Sequence, residues 1–411
     1  MIEQLKLRLP YLAIIILLAA CSPNTAKKHR YPNQVDTSTR PIDYQVKKIF
    51  TVGDVSASND FPAARLNNFV QVNDSTYLAT ISPENIPINE SPWYAFKIWS
   101  ETARSVYVTL QYTEHTHRYD PKVSRDGENW SRLDSLRFTV SADTTKATMQ
   151  LDIGTDPIWV AAQEIQDHKR VGEWVAGFKE NDFVTVGEAG VSVQGRSMYY
   201  MNISDGAYEN KPTIVIMSRQ HPPEVTGYLA MKAFVETLIS EGGKNGFLKK
   251  YRVMIYPLMN PDGVDLGHYR HNTGGIDQNR DWARYNQPET SQVANHIVSE
   301  TNMNNNEIVL GLDFHSTYRD VYYTFDESVK NRTIPGFTSE WLLRIKKGLN
   351  LDDINEQPGG IRAPTSQGWF YKQFGAEHIT YEIGDETPRD FIRVKGEVSA
   401  KAMMDILLEM K

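Results

Sequence analysis

The hydrophobic periodicity of this 411-residue chain changes once, near residue 166, and that change limits the fold more than any other feature. From about residue 47 to 165 apolar positions alternate with polar ones. Val106, Val108, Leu110 and Tyr112 share one strand face, and Tyr94, Phe96 and Ile98 share another. Turn signals recur at short spacing, in PENIP (83–87), DGEN (126–129) and SADTT (141–145). Short alternating strands with frequent turns predict an all-β sandwich. Beyond residue 166 strands alternate with helices: strand 213–217, helix 222–240, strand 252–258, helix 288–301, strand 308–314, helix 338–349, strand 378–383 and a terminal helix 395–410. The expected fold class is therefore α/β, a mixed-sheet α/β/α domain over 166–411 preceded by an all-β sandwich domain over 47–165. Ligands of such sheets gather outside the carboxyl ends of strands. His221, Asn260, His315 and Glu382 all lie at or just past predicted strand ends.

The net charge of −7 and pI near 5.9 give no basic footprint, so nucleic acid is not expected as a partner. The N-terminus has a different composition. MIEQLKLRLPYLAIIILLAAC carries Lys6 and Arg8, an apolar stretch from Tyr11 to Ala20, then small residues, which is the shape of a secretory signal over 1–20. Leu18-Ala19-Ala20-Cys21 resembles a bacterial lipobox, whose cysteine is acylated. Cys21 is the one cysteine of the chain, so the mature body has neither a disulfide nor a cysteine nucleophile. Residues 21–46 are polar and proline-containing and are expected to form a tether. The resemblance implies a lipid-anchored protein of the cell envelope. Ser22 rather than Asp after the cysteine favours the outer membrane of a Gram-negative bacterium.

The stretch PTIVIMSRQHPPEVTGYLAMKAF (212–234) raises the chemical question. Proline is tolerated in the first turn of a helix. HPPE therefore puts His221 at the exit of a strand and Glu224 in the opening turn of a helix, both aimed at one pocket. Alone, H-x-x-E is a weak signal that a surface histidine near a capping acid also produces. His315, closing a strand in LDFHS, supplies a third ligand. Two histidines and a carboxylate with one open position form a catalytic zinc set. HTH at 115–117 could pair His115 and His117 on one strand face, but with no third ligand both are expected to face solvent from the sandwich.

NPDGVDLGHYRHNTGGIDQNRDW (260–282) adds the motifs that carry a resemblance. With RQHPPE, LDFHS and a late TYE, the chain resembles the zinc metallocarboxypeptidases of the carboxypeptidase A type. It is closest to the branch that contains the cytosolic carboxypeptidases, or deglutamylases. SPWYAFKI and YDPKVSRDGENW resemble the β-sandwich that precedes the catalytic domain in that branch, so the likeness runs from about residue 47 to the C-terminus. It implies one Zn2+ per chain on His221, Glu224 and His315, and a peptide substrate with a free C-terminal carboxylate. It implies Glu382 as general base, with Asp385 and Glu386 as nearby competitors for that position. Arg270 would hold the oxyanion, Asn279 and Arg280 would bind the terminal carboxylate, and Asp277 would orient the first zinc imidazole.

Two departures qualify the likeness. The position of the family's active-site tyrosine falls near Glu356, and Gln367 stands where deglutamylases carry a basic residue, with Arg362 close by in sequence. A preference for acidic C-termini therefore does not transfer. The alternatives are a zinc amidohydrolase of the aspartoacylase or succinylglutamate desuccinylase kind, and a non-catalytic surface-binding lipoprotein that acts through its sandwich.

Overall fold

The structure, a computed structural model, describes residues 25–410. The alternation of the first half builds two sheets. One has six strands, in the order Ile49–Val52, Val55–Ser58, Ala95–Ser100, Ile158–Ala161, Lys122–Ser124, Trp130–Arg132. The other has five, in the order Asn68–Asn73, Thr76–Ile81, Arg104–Tyr112, Lys146–Ile153, Phe138–Val140. Their inner faces make one core, in which Phe96, Ile98 and Val160 of one sheet join Val106, Val108 and Leu110 of the other. Each such side chain contributes about 1.5–3 kcal/mol on burial.

The second half forms an eight-stranded mixed sheet, in the order Val184–Val191, Ser197–Ile203, Arg252–Tyr256, Thr213–Ser218, Ile308–Thr317, Glu377–Gly384, Val321–Phe325, Glu356–Gly359. The four central strands run parallel. Ser197–Ile203 and Val321–Phe325 join them antiparallel on either side. Central strands are apolar on both faces because both are covered. Ile214 and Ile216 pack under helices Val225–Gly242 and Arg389–Glu409, while Val215 and Met217 meet helix Pro288–Met303 and Trp369 of helix Ser366–Phe374.

Several boundaries differ from expectation for local reasons. The helix after His221 begins at Val225, not 222, with Glu224 at its N-cap. Pro223 pushes Pro222 out of the helical region, so the chain turns before it coils. The strand bearing His315 extends to Thr317, because His315, Ser316 and Thr317 keep pairing with Glu382, Ile383 and Gly384. The last helix starts at Arg389 behind Pro388, since Ile392 is buried and extends the apolar face.

Residues 25–46, expected to be a free tether, instead lie along the body. The Ala26 N–H donates to Asn295 Oδ1 (2.9 Å), and Thr37 Oγ1 donates to Asp281 (2.5 Å). Tyr31 is buried. Polar composition argued for solvation, yet these polar groups are matched by polar groups on the α/β half. Cys21 and the signal segment 1–20 lie outside the described residues.

His115 and His117 also differ from expectation. They follow the strand Arg104–Tyr112 in a loop, with His115 at φ +67°, and both are half-buried. His115 Nε2 is 2.8 Å from the Ile88 carbonyl, and His117 Nδ1 is 2.8 Å from the Tyr112 hydroxyl. Burial pushes the His117 imidazole down to about 4. They are packing residues.

Candidate metal centre and active site

Three neighbouring strand ends converge on one cavity of about 510 Å3. His221 follows the end of Thr213–Ser218, while His315 and Glu382 lie opposite each other in register on adjacent parallel strands. Gly227 brings the helix of Glu224 against this edge. A Cβ there would sit 2.2 Å from the His315 carbonyl oxygen, so only glycine permits the approach. The Glu224 carboxylate consequently spans both histidines. Its Oε1 is 2.8 Å from His221 Nδ1 and its Oε2 is 2.7 Å from His315 Nδ1, while the two Nδ1 atoms are 3.2 Å apart.

The outer nitrogens explain what this cluster is built to hold. His221 Nε2 faces Asp277 Oδ1 at 2.9 Å, and His315 Nε2 faces Asp313 Oδ2 at 2.9 Å. The Asp277 hydrogen bond holds the proton of His221 on Nε2, and the Asp313 charge beside His315 Nε2 favours the same tautomer there, leaving each Nδ1 as a lone pair. Two lone pairs and a carboxylate then meet within 4.8 Å, an arrangement that can hold a cation. The donor set, two imidazoles and one carboxylate, fits zinc. Without metal the cluster takes its positive charge as protons. Burial disfavours the His315 imidazolium, but Asp313 and Glu224 carry its pKa well above the ordinary value. Burial likewise raises Glu224, and the two imidazoles more than offset it, leaving the carboxyl well below its usual range.

Glu382 stands across the cavity with Oε2 unpartnered. Burial, and next the Glu224 carboxylate, push it up to about 7. Its competitors are occupied elsewhere, Asp385 by Arg118 Nε at 2.8 Å and Glu386 by Lys122 Nζ at 2.6 Å. Arg270 points its Nε at Asp277 Oδ2 (2.9 Å), so one acid holds both His221 and Arg270. Asn279 Oδ1 accepts from the Ser366 N–H (2.9 Å), which leaves its amide nitrogen free to donate. Arg280 lies beside it, partly exposed at the cavity wall.

Glu356 is not at this site. It begins an edge strand, where it accepts from Thr324 Oγ1 (2.6 Å). Arg362 is exposed and does not line the cavity, whereas Gln367 does. Sequence reasoning missed Asp313, although its position two residues before His315 on a strand put both on one face. It also missed Tyr318 and Tyr323 in the cavity wall, and the contribution of the sandwich, which lends Asn89, Glu90, Ser91 and Arg118. No signal in the local sequence marks those four.

Comparison with known proteins agrees with this geometry. The profile of the zinc carboxypeptidases (peptidase M14) matches residues 173–401. Cytosolic carboxypeptidase 6 of Caenorhabditis elegans is 23% identical over 287 residues, 64% of this chain and 62% of its own length. Cytosolic carboxypeptidase 3 of Mus musculus is 20% identical over 328 residues, 72% of this chain and 32% of its own length. An uncharacterized protein of Zymomonas mobilis is 26% identical over 216 residues, 50% of this chain and 54% of its own length. The chain thus spans about half or less of the length of the first curated relatives it matches. Among solved structures, a metallo-carboxypeptidase from Burkholderia cenocepacia superposes with TM-score 0.71 at 18% identity, covering 86% of this chain and 99% of its own. A metallo-carboxypeptidase from Pseudomonas aeruginosa in complex with (2-guanidinoethylmercapto)succinic acid gives 0.69 at 18% identity, covering 86% and 100%. The fold and the His-Glu-His cluster define a metallopeptidase-like α/β protein with a β-rich N-terminal half. The chain belongs to the zinc carboxypeptidase family.

Proposed function

We propose that this protein is a zinc-dependent metallocarboxypeptidase that removes the C-terminal residue of peptides. One observation carries the reading: Asn279, with its amide nitrogen free, and the Arg280 guanidinium share the cavity with the His221–Glu224–His315 cluster and with Glu382. His221, Glu224 and His315 would hold zinc, which would supply Lewis-acid activation of water and of the scissile carbonyl. Glu382, with one oxygen unpartnered, takes the proton from the attacking water and returns it to the leaving amine. Arg270, fixed at Nε by Asp277, offers the rest of its fork to the oxyanion. Arg280 and the Asn279 amide bind the terminal carboxylate. The wall around them mixes hydroxyls and amides, from Ser91, Thr365, Gln367 and Thr380, with charged Glu90 and Arg118 and the rings of Tyr318 and Tyr323.

The test is mass spectrometry of products from a peptide panel with free and amidated C-termini. Release of single C-terminal residues, lost on chelation, restored by Zn2+ and absent with amidated peptides, is the expected result. Equal cleavage of amidated and free peptides overturns the exopeptidase reading.

We further propose, from Cys21 and the sequence before it, that the protein is lipid-anchored in the cell envelope, with the outer membrane favoured. Among the described residues no helix is long and apolar enough to cross a membrane.

A further inference from the structure

Glu84 is a fully buried carboxylate of the sandwich, 186 residues from Arg270 in sequence. It accepts three consecutive backbone N–H groups of the α/β half: Tyr269 at 2.7 Å on Oε2, and Arg270 at 3.0 Å and His271 at 2.7 Å on Oε1. Burial works against the charge, but His268, Arg65 and His271 keep the carboxyl below its ordinary range. Neighbouring contacts close around the same loop. Buried Arg65 donates Nε to the Gly267 carbonyl (2.7 Å). Asn85 reaches His271 Nδ1 (2.7 Å) and the Gly275 carbonyl (3.1 Å). Gly267 lies at φ +64°, and a Cβ there would sit 2.5 Å from the Ala64 carbonyl oxygen, so the two halves meet backbone to backbone.

Arg270 is therefore held at both ends. Asp277 fixes its guanidinium, and Glu84 fixes the peptide from which it springs. We propose that Glu84 is the positioning residue for Arg270, and that setting this arginine is a catalytic duty of the sandwich; the inference rests on the carboxypeptidase reading above. A carboxylate that accepts three peptide N–H groups in a dry interior leaves the segment one arrangement. Substitution by glutamine places an N–H2 against one of those donors and forces the loop to shift. A displacement of about 1 Å at a group acting on the transition state costs on the order of 10²-fold in rate.

The experiment is a double-mutant cycle in the full-length zinc-loaded protein, with Glu84→Gln, Arg270→Ala and the pair, and with Glu84→Asp as a charge-preserving second variant. Glu84→Gln is expected to lower kcat about 10- to 100-fold with little change in KM. Glu84→Asp should fall between it and wild type. In the Arg270→Ala background, Glu84→Gln should cost no further activity, because it acts through the missing side chain. Equal fold-losses in both backgrounds, or an unchanged kcat for Glu84→Gln, overturn the proposal while leaving the carboxypeptidase reading intact. A wild-type protein that releases no C-terminal residue defeats that reading instead. Amide hydrogen exchange at Tyr269, Arg270 and His271, which needs no turnover, then decides the anchoring: faster exchange in Glu84→Gln supports it, and wild-type protection overturns it.

Discussion

Glu382, the register partner of His315, faces the metal cluster, and burial and Glu224 raise its carboxyl to about 7 in the metal-free site. An unfolded glutamate titrates near about 4.3. Between these values the folded chain holds the extra proton, so Glu382 lowers metal-free stability progressively as pH rises from about 4 to about 7, and fully above that. Glu382→Gln removes the penalty along with the base. Metal-free Glu382→Gln should melt above metal-free wild type at pH 8 and level with it at pH 4, while zinc-loaded turnover falls about 10²–10⁴-fold. Coincident melting curves at pH 8 would show that Glu382 is not a buried charge. The two arginines separate by kinetics. The terminal carboxylate is bound alike in ground and transition states, whereas the oxyanion exists only near the transition state. Arg280→Ala should raise KM with kcat nearly kept, and Arg270→Ala should lower kcat; the reverse pattern in steady-state assays exchanges their roles.

At the scale of elements, the metal cluster depends on how closely one helix approaches one strand. Gly227 donates its N–H to Ser316 Oγ (2.8 Å), and its bare Cα lies against the His315 backbone. A methyl at that position has no room without moving the helix, and Glu224 moves with the helix. Gly227→Ala should cost about 1–3 kcal/mol of stability by overpacking. It should also weaken zinc binding, although Gly227 is no ligand. Calorimetric zinc titration beside a thermal melt checks both, and unchanged zinc affinity would show that the cluster tolerates helix displacement.

At the scale of the whole molecule, the α/β half does not complete its own cavity. Arg118 of the sandwich bonds Asp385 through Nε and donates from Nη1 to Ser91 Oγ (2.9 Å), so part of the cavity wall is the domain junction. The N-terminal segment adds a second constraint. Ala26 already bonds Asn295, so an acylated Cys21 would leave at most about 18 Å of extended chain between lipid and body. The face bearing Asn295 would then lie close to the bilayer. In cells, wild-type protein should partition into detergent and Cys21→Ala into the aqueous phase; equal partition removes the lipid anchor.

The sequence alone determined what is encoded over a few residues. Alternation specified the sandwich, buried apolar runs specified the central strands, and HPPE, LDFHS and TYE put His221, His315 and Glu382 at strand ends and Glu224 at the start of a helix. Each rests on backbone periodicity or on a proline, which neighbours decide. The tertiary structure decided whatever depends on which faces meet. Glu84 lies on Arg270's backbone, Arg118 on Asp385, and residues 25–46 on a body their composition did not announce. Asp313 falls between these cases. Its face was legible from period two, but its duty behind His315 was not, because a buried acid acquires a role only from the group packed against it. His115 and His117 show the same limit from the other side. Their spacing suited a metal-binding pair, and a loop at φ +67° gave each ring its own partner. Local chemistry is written in order along the chain, whereas contacts between residues hundreds apart exist only once the packed hydrophobic cores have set the halves against each other.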